Sequence, residues 1–168
     1  GGPPRLLASA ASPEQDVEVL NFALDLERLQ EAFYAEARSS LSLGGQWGEF
    51  ARVVGGHERA HREFIEAALG DAARPPPSLD FGEVLSDEES FRAAAVALEE
   101  SATAAYNGQA TNLTAKGLAT AARIASVEAR HASWARDLAG KSPAPRASDR
   151  AIGVQPATVE LSRVGLAS

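Results

Sequence analysis

Apolar residues recur every three or four positions in four separate stretches of this chain, which is the period of an α-helix with one buried face. The first stripe reads Leu20, Leu24, Glu27, Glu31, Tyr34, and the second Phe50, Val54, Glu58, His61, Ile65, Ala68. The third reads Phe91, Ala95, Leu98, Glu99, Ala102, Tyr106, and the fourth Ala121, Ile124, Glu128, His131, Ala135, Leu138. Four such stripes predict an all-α four-helix bundle over residues 12–140.

Local signals bound the helices. Ser12, Pro13 and Gln15 form a capping box with proline at the first helical position, and the first helix should run to about Leu43, before Gly44-Gly45. The second should run from about Trp47 to Leu69. Gly55-Gly56 inside it cost about 1 kcal/mol each relative to alanine, so they mark a kink or a close helix contact. Residues 70–85 hold Pro75-Pro76-Pro77 and form a connection long enough to cross the bundle from end to end. Ser86-Asp87-Glu88-Glu89 reads as a second capping box, opening a third helix that ends near Gly108. The fourth should span about Thr114 to Ala139. Residues 1–11 read as a flexible leader, and residues 141–168 as an irregular tail without a clear period.

Composition narrows the chemistry. The net charge of −7 repels phosphate backbones and makes nucleic acid a poor partner, and no run approaches the roughly 20 apolar residues of a membrane span. With no cysteine, disulfides, iron–sulfur clusters and thiol catalysis are excluded. Methionine is absent too, even at the start. We therefore expect a processed or trimmed product with any signal peptide missing from view, and the lack of both sulfur side chains suits an oxidising setting outside the cytoplasm.

Each apolar stripe carries a glutamate, although a buried unpaired carboxylate is expensive. Glu58-Arg59-Ala60-His61 and Glu128-Ala129-Arg130-His131 are both E-x-x-H. Residues three apart share a helix face, about 5–6 Å apart at Cβ, so both side chains can reach one ion. Glu27 and Glu99 lie on the other two helices, Glu99 fitting the stripe better than Glu100. Two glutamates plus two E-x-x-H pairs make a dinuclear carboxylate site. Four carboxylates nearly neutralise two ions, and such ligands suit iron best, with manganese or zinc as alternatives. Glu31, Tyr34, His57 and Tyr106 are candidates to stand behind the ligands.

The segments LNFALDLERLQEAFY and IASVEARHASWARDL resemble the first and last ligand helices of the ferritin-like superfamily. Together with ALEESATAAYNG and HERAHREFIEAAL they are most similar to its desiccation-related proteins. The resemblance implies a ferritin-like bundle with Glu27, Glu58, His61, Glu99, Glu128 and His131 as ligands. It also implies two metal ions, small oxygen species as partners, and a role in oxidising ferrous iron or removing peroxide during stress, in a protein exported with its signal removed; a homodimer fits this reading. Three ferritin features are missing: a short fifth helix, whose absence disfavours a 24-subunit cage, a methionine for haem, and the cysteines of a rubrerythrin iron centre.

Two other readings compete. His57-Glu58-Arg59-Ala60-His61 is also H-E-x-x-H, a zinc-peptidase motif with two histidine ligands and a glutamate base. A non-catalytic ferritin-like binding or structural module is the second.

Overall fold

The computed structural model describes residues 11–167. The leader expected over 1–11 lies, apart from Ala11, outside them. Four long helices form the bundle: α1 (Pro13–Ser40), α2 (Gly45–Leu69), α3 (Glu88–Gln109) and α4 (Ala115–Leu138). A shorter α5 spans Val154–Ser162. Among the described residues there is no strand, only an isolated antiparallel bridge between Leu79 and Leu166.

Side-chain caps open three of the five α-helices, α1, α3 and α4. The Ser12 side chain accepts from the Gln15 amide, but the Gln15 side-chain oxygen has no partner, so the expected box is half formed. α1 stops at Ser40 rather than Leu43, because Leu41 turns extended and Leu41 and Leu43 pack against the edge of the core. α3 is capped by Asp87, not Ser86; the Asp87 carboxylate accepts from the Ser90 amide at 2.8 Å. A carboxylate is the stronger acceptor, and Ser86 ends the preceding turn. Thr114 caps α4, and its own amide donates to Asp16 of α1.

Residues 70–87 run the length of the bundle. Asn21 near the start of α1 holds Ala72 and Arg74, Phe81 meets Phe33 near the other end, and Trp47 at the start of α2 faces Phe91 at the start of α3. α2 and α3 are therefore parallel, joined by a crossover. Phe33, Tyr34, Phe50, Phe91 and Leu98 are fully buried in the core, each contributing about 1.5–3 kcal/mol by the usual area reckoning. Gly55 makes a close helix contact: a Cβ there would stand 3.0 Å from the Cβ of Tyr34, whereas Gly56 meets nothing within 4 Å.

The tail is not irregular throughout. α5 buries Ala157 and Leu161, and Val164 just beyond it is also buried. Ile152 donates to Ala104 of α3, Ser101 donates to Glu160, and residues 165–167 exchange backbone hydrogen bonds with residues 78–80 of the crossover. A short helix thus does follow the bundle, and the absence that weighed against a cage does not hold. Nine residues carry barely two apolar repeats, too few for a period to stand out.

Candidate metal centre

The helix period brings ten polar side chains to the middle of the bundle. α1 supplies Glu27, Gln30 and Tyr34; α2 supplies His57, Glu58 and His61; α3 supplies Glu99 and Tyr106; α4 supplies Glu128 and His131. The four glutamates are 0% exposed and His131 is 3% exposed. Unpaired charge at such depth would be strongly unfavourable, so the residues must neutralise one another or hold cations.

Two overlapping groups emerge. Glu27, Glu58, His61 and Glu128 form one, and Glu58, Glu99, Glu128 and His131 the other, with the donor atoms of each within 4.8 Å of one another. Glu58 and Glu128 belong to both. Glu58 directs Oε2 to His61 Nδ1 at 2.8 Å and Oε1 to His131 Nδ1 at 2.9 Å. His61 Nδ1 also lies 3.3 Å from Glu27 and 3.2 Å from Glu128, while His131 Nδ1 lies 3.5 Å from Glu99 and 3.6 Å from Glu128.

Several of these atoms meet without hydrogen-bond alignment. Glu27 Oε2, Glu58 Oε1, Glu128 Oε1 and His131 Nδ1 are buried and lack a hydrogen-bond partner. Donor atoms that crowd together without bonding one another are arranged around a common point, as ligands are. Carboxylate oxygens with one imidazole per group suit iron or manganese and tolerate zinc. The cluster could therefore bind metal.

In the absence of metal, protons supply the missing positive charge. Burial would lower His61, but the carboxylates of Glu128, Glu27 and Glu58 crowded around its Nδ1 carry it up to about 12. His131 is likewise opposed by burial, yet raised to about 11 by Glu58 and Glu99. Burial raises Glu27 and Glu99, and raises Glu58 well above the usual range; the Glu128 charge reinforces each shift. Glu128 ends up lowered: burial pushes it up, but the close His61 ring, the two imidazolium charges and the Gln30 amide outweigh that.

Three of the four supporting candidates touch the cluster. Tyr34 donates to Glu99 Oε1 at 2.5 Å, and Tyr106 donates to Glu27. Burial first, then the facing carboxylates, hold both phenols well above their ordinary value. His57 Nδ1 meets His131 Nε2 at 2.9 Å. Glu31 stands apart, paired with Arg59 and Arg62 on the surface. Glu99 faces the cluster, while Glu100 pairs with Arg136. His57 falls in neither group and turns to His131 instead of sharing a point with His61, as the peptidase motif requires.

Gln30, which lies off the apolar stripe of α1, belongs to the cluster as well. It is fully buried and donates to Glu128 at 2.9 Å and to both Glu99 oxygens at 3.3 Å. Glu27-Arg28-Leu29-Gln30 repeats the i, i+3 spacing of the E-x-x-H pairs, which was the available signal. A cleft of about 370 Å³ between α2 and α4, lined by Ala60, Val127 and Trp134 among others, opens onto His61 and His131.

A comparison with curated proteins gives no match. A family model described as a ferritin-like domain matches residues 15–141. That span covers all four long helices but for Pro13 and Glu14 of α1 and includes every residue of the cluster, and so the chain belongs to the ferritin-like domain family.

Proposed function

We propose that the chain holds two metal ions, iron by preference, through Glu27, Glu58, His61, Glu99, Glu128 and His131, and uses them to oxidise ferrous iron or remove peroxide in stress protection. The observation that carries this reading is the sharing of Glu58 and Glu128 between two groups that each own one further glutamate and one histidine. Such a pair of ions supplies redox equivalents to a small oxygen species. The chain's own part is to neutralise their charge, to keep water away through burial, and to orient Glu27 and Glu99 through Tyr106 and Tyr34. The cleft onto His61 and His131 gives a small molecule a way in. The desiccation-type role and export from the cytoplasm rest on the resemblance of the helix segments quoted above.

Elemental analysis of protein isolated without chelators should find about two ions per chain, the occupancy of a two-metal site. Anaerobic loading with ferrous iron, then oxygen or peroxide, should produce an absorbance change that His61→Ala abolishes. One zinc per chain, with peptide cleavage dependent on Glu58 and His57, would overturn the proposal.

A further inference from the structure

We propose that His57 is a positioning residue for His131, and that it makes one of the two ion pockets depend on a support the other lacks. This rests on the two-ion reading above.

His131 presents Nδ1 to Glu58, Glu99 and Glu128, which leaves Nε2 pointing away from the cluster. That nitrogen meets His57 Nδ1 at 2.9 Å, with the rings 17° from parallel and their centroids 5.1 Å apart. A neutral imidazole carries one N–H. When Nδ1 gives its lone pair to an ion, the proton must sit on Nε2, which then donates, and His57 Nδ1 accepts. His57 in turn carries its own proton on Nε2, and because its side chain is exposed that N–H can reach water. Each atom of the chain of contacts has one consistent role.

Helix geometry explains why His57 is available. It precedes Glu58, so when α2 aims Glu58 inward, His57 points sideways toward α4. The residue preceding Glu128 on α4 is Val127, which can accept no hydrogen bond. His61 uses Nδ1 toward the carboxylates just as His131 does, but among the described residues no histidine or carboxylate meets its Nε2. The pocket of Glu58, Glu99, Glu128 and His131 is thus propped from outside, and that of Glu27, Glu58, His61 and Glu128 is not. Removing such an outer partner typically costs about 10–100-fold in metal affinity.

Cobalt(II) titration against a competing chelating dye, with the full chain, tests this. His57→Phe keeps a flat ring beside His131 but offers no acceptor, whereas His57→Asn can place an oxygen where Nδ1 stands. We expect His57→Phe to weaken one of two cobalt equivalents by about tenfold or more and leave the other unchanged, and His57→Asn to restore it. Nitrogen-15 NMR of His131 in zinc-loaded protein should show Nε2 protonated in the parent and in His57→Asn, with that N–H signal moved or lost in His57→Phe. Equal weakening of both equivalents in His57→Phe, or unchanged binding with an unchanged His131 signal, overturns the inference. If His61→Ala and His131→Ala also bind two equivalents like the parent, the two-ion reading itself has failed.

Discussion

The two halves of the bundle, α1 with α2 and α3 with α4, build their sides of the cluster by the same plan. Glu27 is followed seven residues later by Tyr34, and Glu99 seven residues later by Tyr106; Glu58 pairs with His61 and Glu128 with His131. Each tyrosine crosses to the other half: Tyr34 donates to Glu99 and Tyr106 to Glu27. The halves differ at two places. Three residues after Glu27 stands Gln30, whose amide reaches Glu99 and Glu128, while Ala102 holds the same place after Glu99. Before Glu58 stands His57, and before Glu128 stands Val127. The plan is nearly two-fold in its ligands and one-sided in the groups that support them. Both supports come from the first half and act on ligands of the second, so equal ligand sets need not hold their ions equally.

The harshest way to break this near-symmetry is to remove a shared carboxylate. Glu58→Gln or Glu128→Gln should release both ions, a loss larger than the about 10–100-fold expected for an outer support. The metal-free Glu58→Gln protein should melt at a higher temperature than the metal-free parent, because burial raises Glu58 and makes its charged form unfavourable there. A gain near 1 kcal/mol would be read as about 2–4 °C. Calorimetry with and without metal measures both effects; a metal-free variant that melts lower than its parent would contradict the second.

Removing an unshared ligand should separate the pockets. His61→Ala should lose one equivalent and keep the pocket of His131, and His131→Ala the reverse, as read by stoichiometry under saturating metal. Loss of both ions from either variant would mean that neither pocket holds alone.

pH probes the same cluster without mutation. In the metal-free folded protein Glu27, Glu58 and Glu99 keep protons that the unfolded chain releases above about 4.5, and His61 and His131 keep protons that it releases above about 6.5. The folded state therefore binds more protons, and stability falls as pH rises. The histidine share is fully present below about 6.5 and is lost as pH climbs through about 11 to 12. Glu128, with its lowered value, acts oppositely: its share is present above about 4.5 and is lost in acid. Denaturant titrations of metal-free protein should show declining stability from pH 6.5 upward. Metal-loaded protein should lack that decline, since ions replace the protons.

The smallest effects on metal binding should come from the supporting groups. Tyr34→Phe and Tyr106→Phe each remove one hydrogen bond to a carboxylate, worth about 1.5–3 kcal/mol for a charged acceptor. They should lower the melting temperature of loaded protein by similar amounts, as the crossed plan requires. Gln30→Leu should act mainly on the pocket of Glu99 and His131, since its amide reaches Glu99 and Glu128 but not Glu27. Equal weakening of both pockets would show that Gln30 serves the shared Glu128 alone.

The sequence by itself determined the four helices and the faces they bury, because a 3.6-residue period and a cap act within one turn of chain. The same locality made Glu58 with His61 and Glu128 with His131 legible as pairs. Periodicity favours Glu99 over Glu100, and the structure turns Glu99 to the cluster and Glu100 to Arg136. Only the tertiary structure decided the rest. Ser12 caps as the pattern predicts, but Asp87 displaces Ser86 because the preceding turn sets which residue can present its oxygen. Nine residues of α5 show too little period to be seen, and they fold because α3, α1 and the crossover offer an apolar surface to cover. Glu31 shares a stripe with Glu27, yet Arg59 and Arg62 of the neighbouring helix draw it outward. Gln30 and His57 lie off the stripes as read, and their worth depends on Glu99, Glu128 and His131, which are far away along the chain. Spacing within a helix fixes which side chains share a face; which groups meet across the bundle depends on helix rotation and distance, and packing alone sets those.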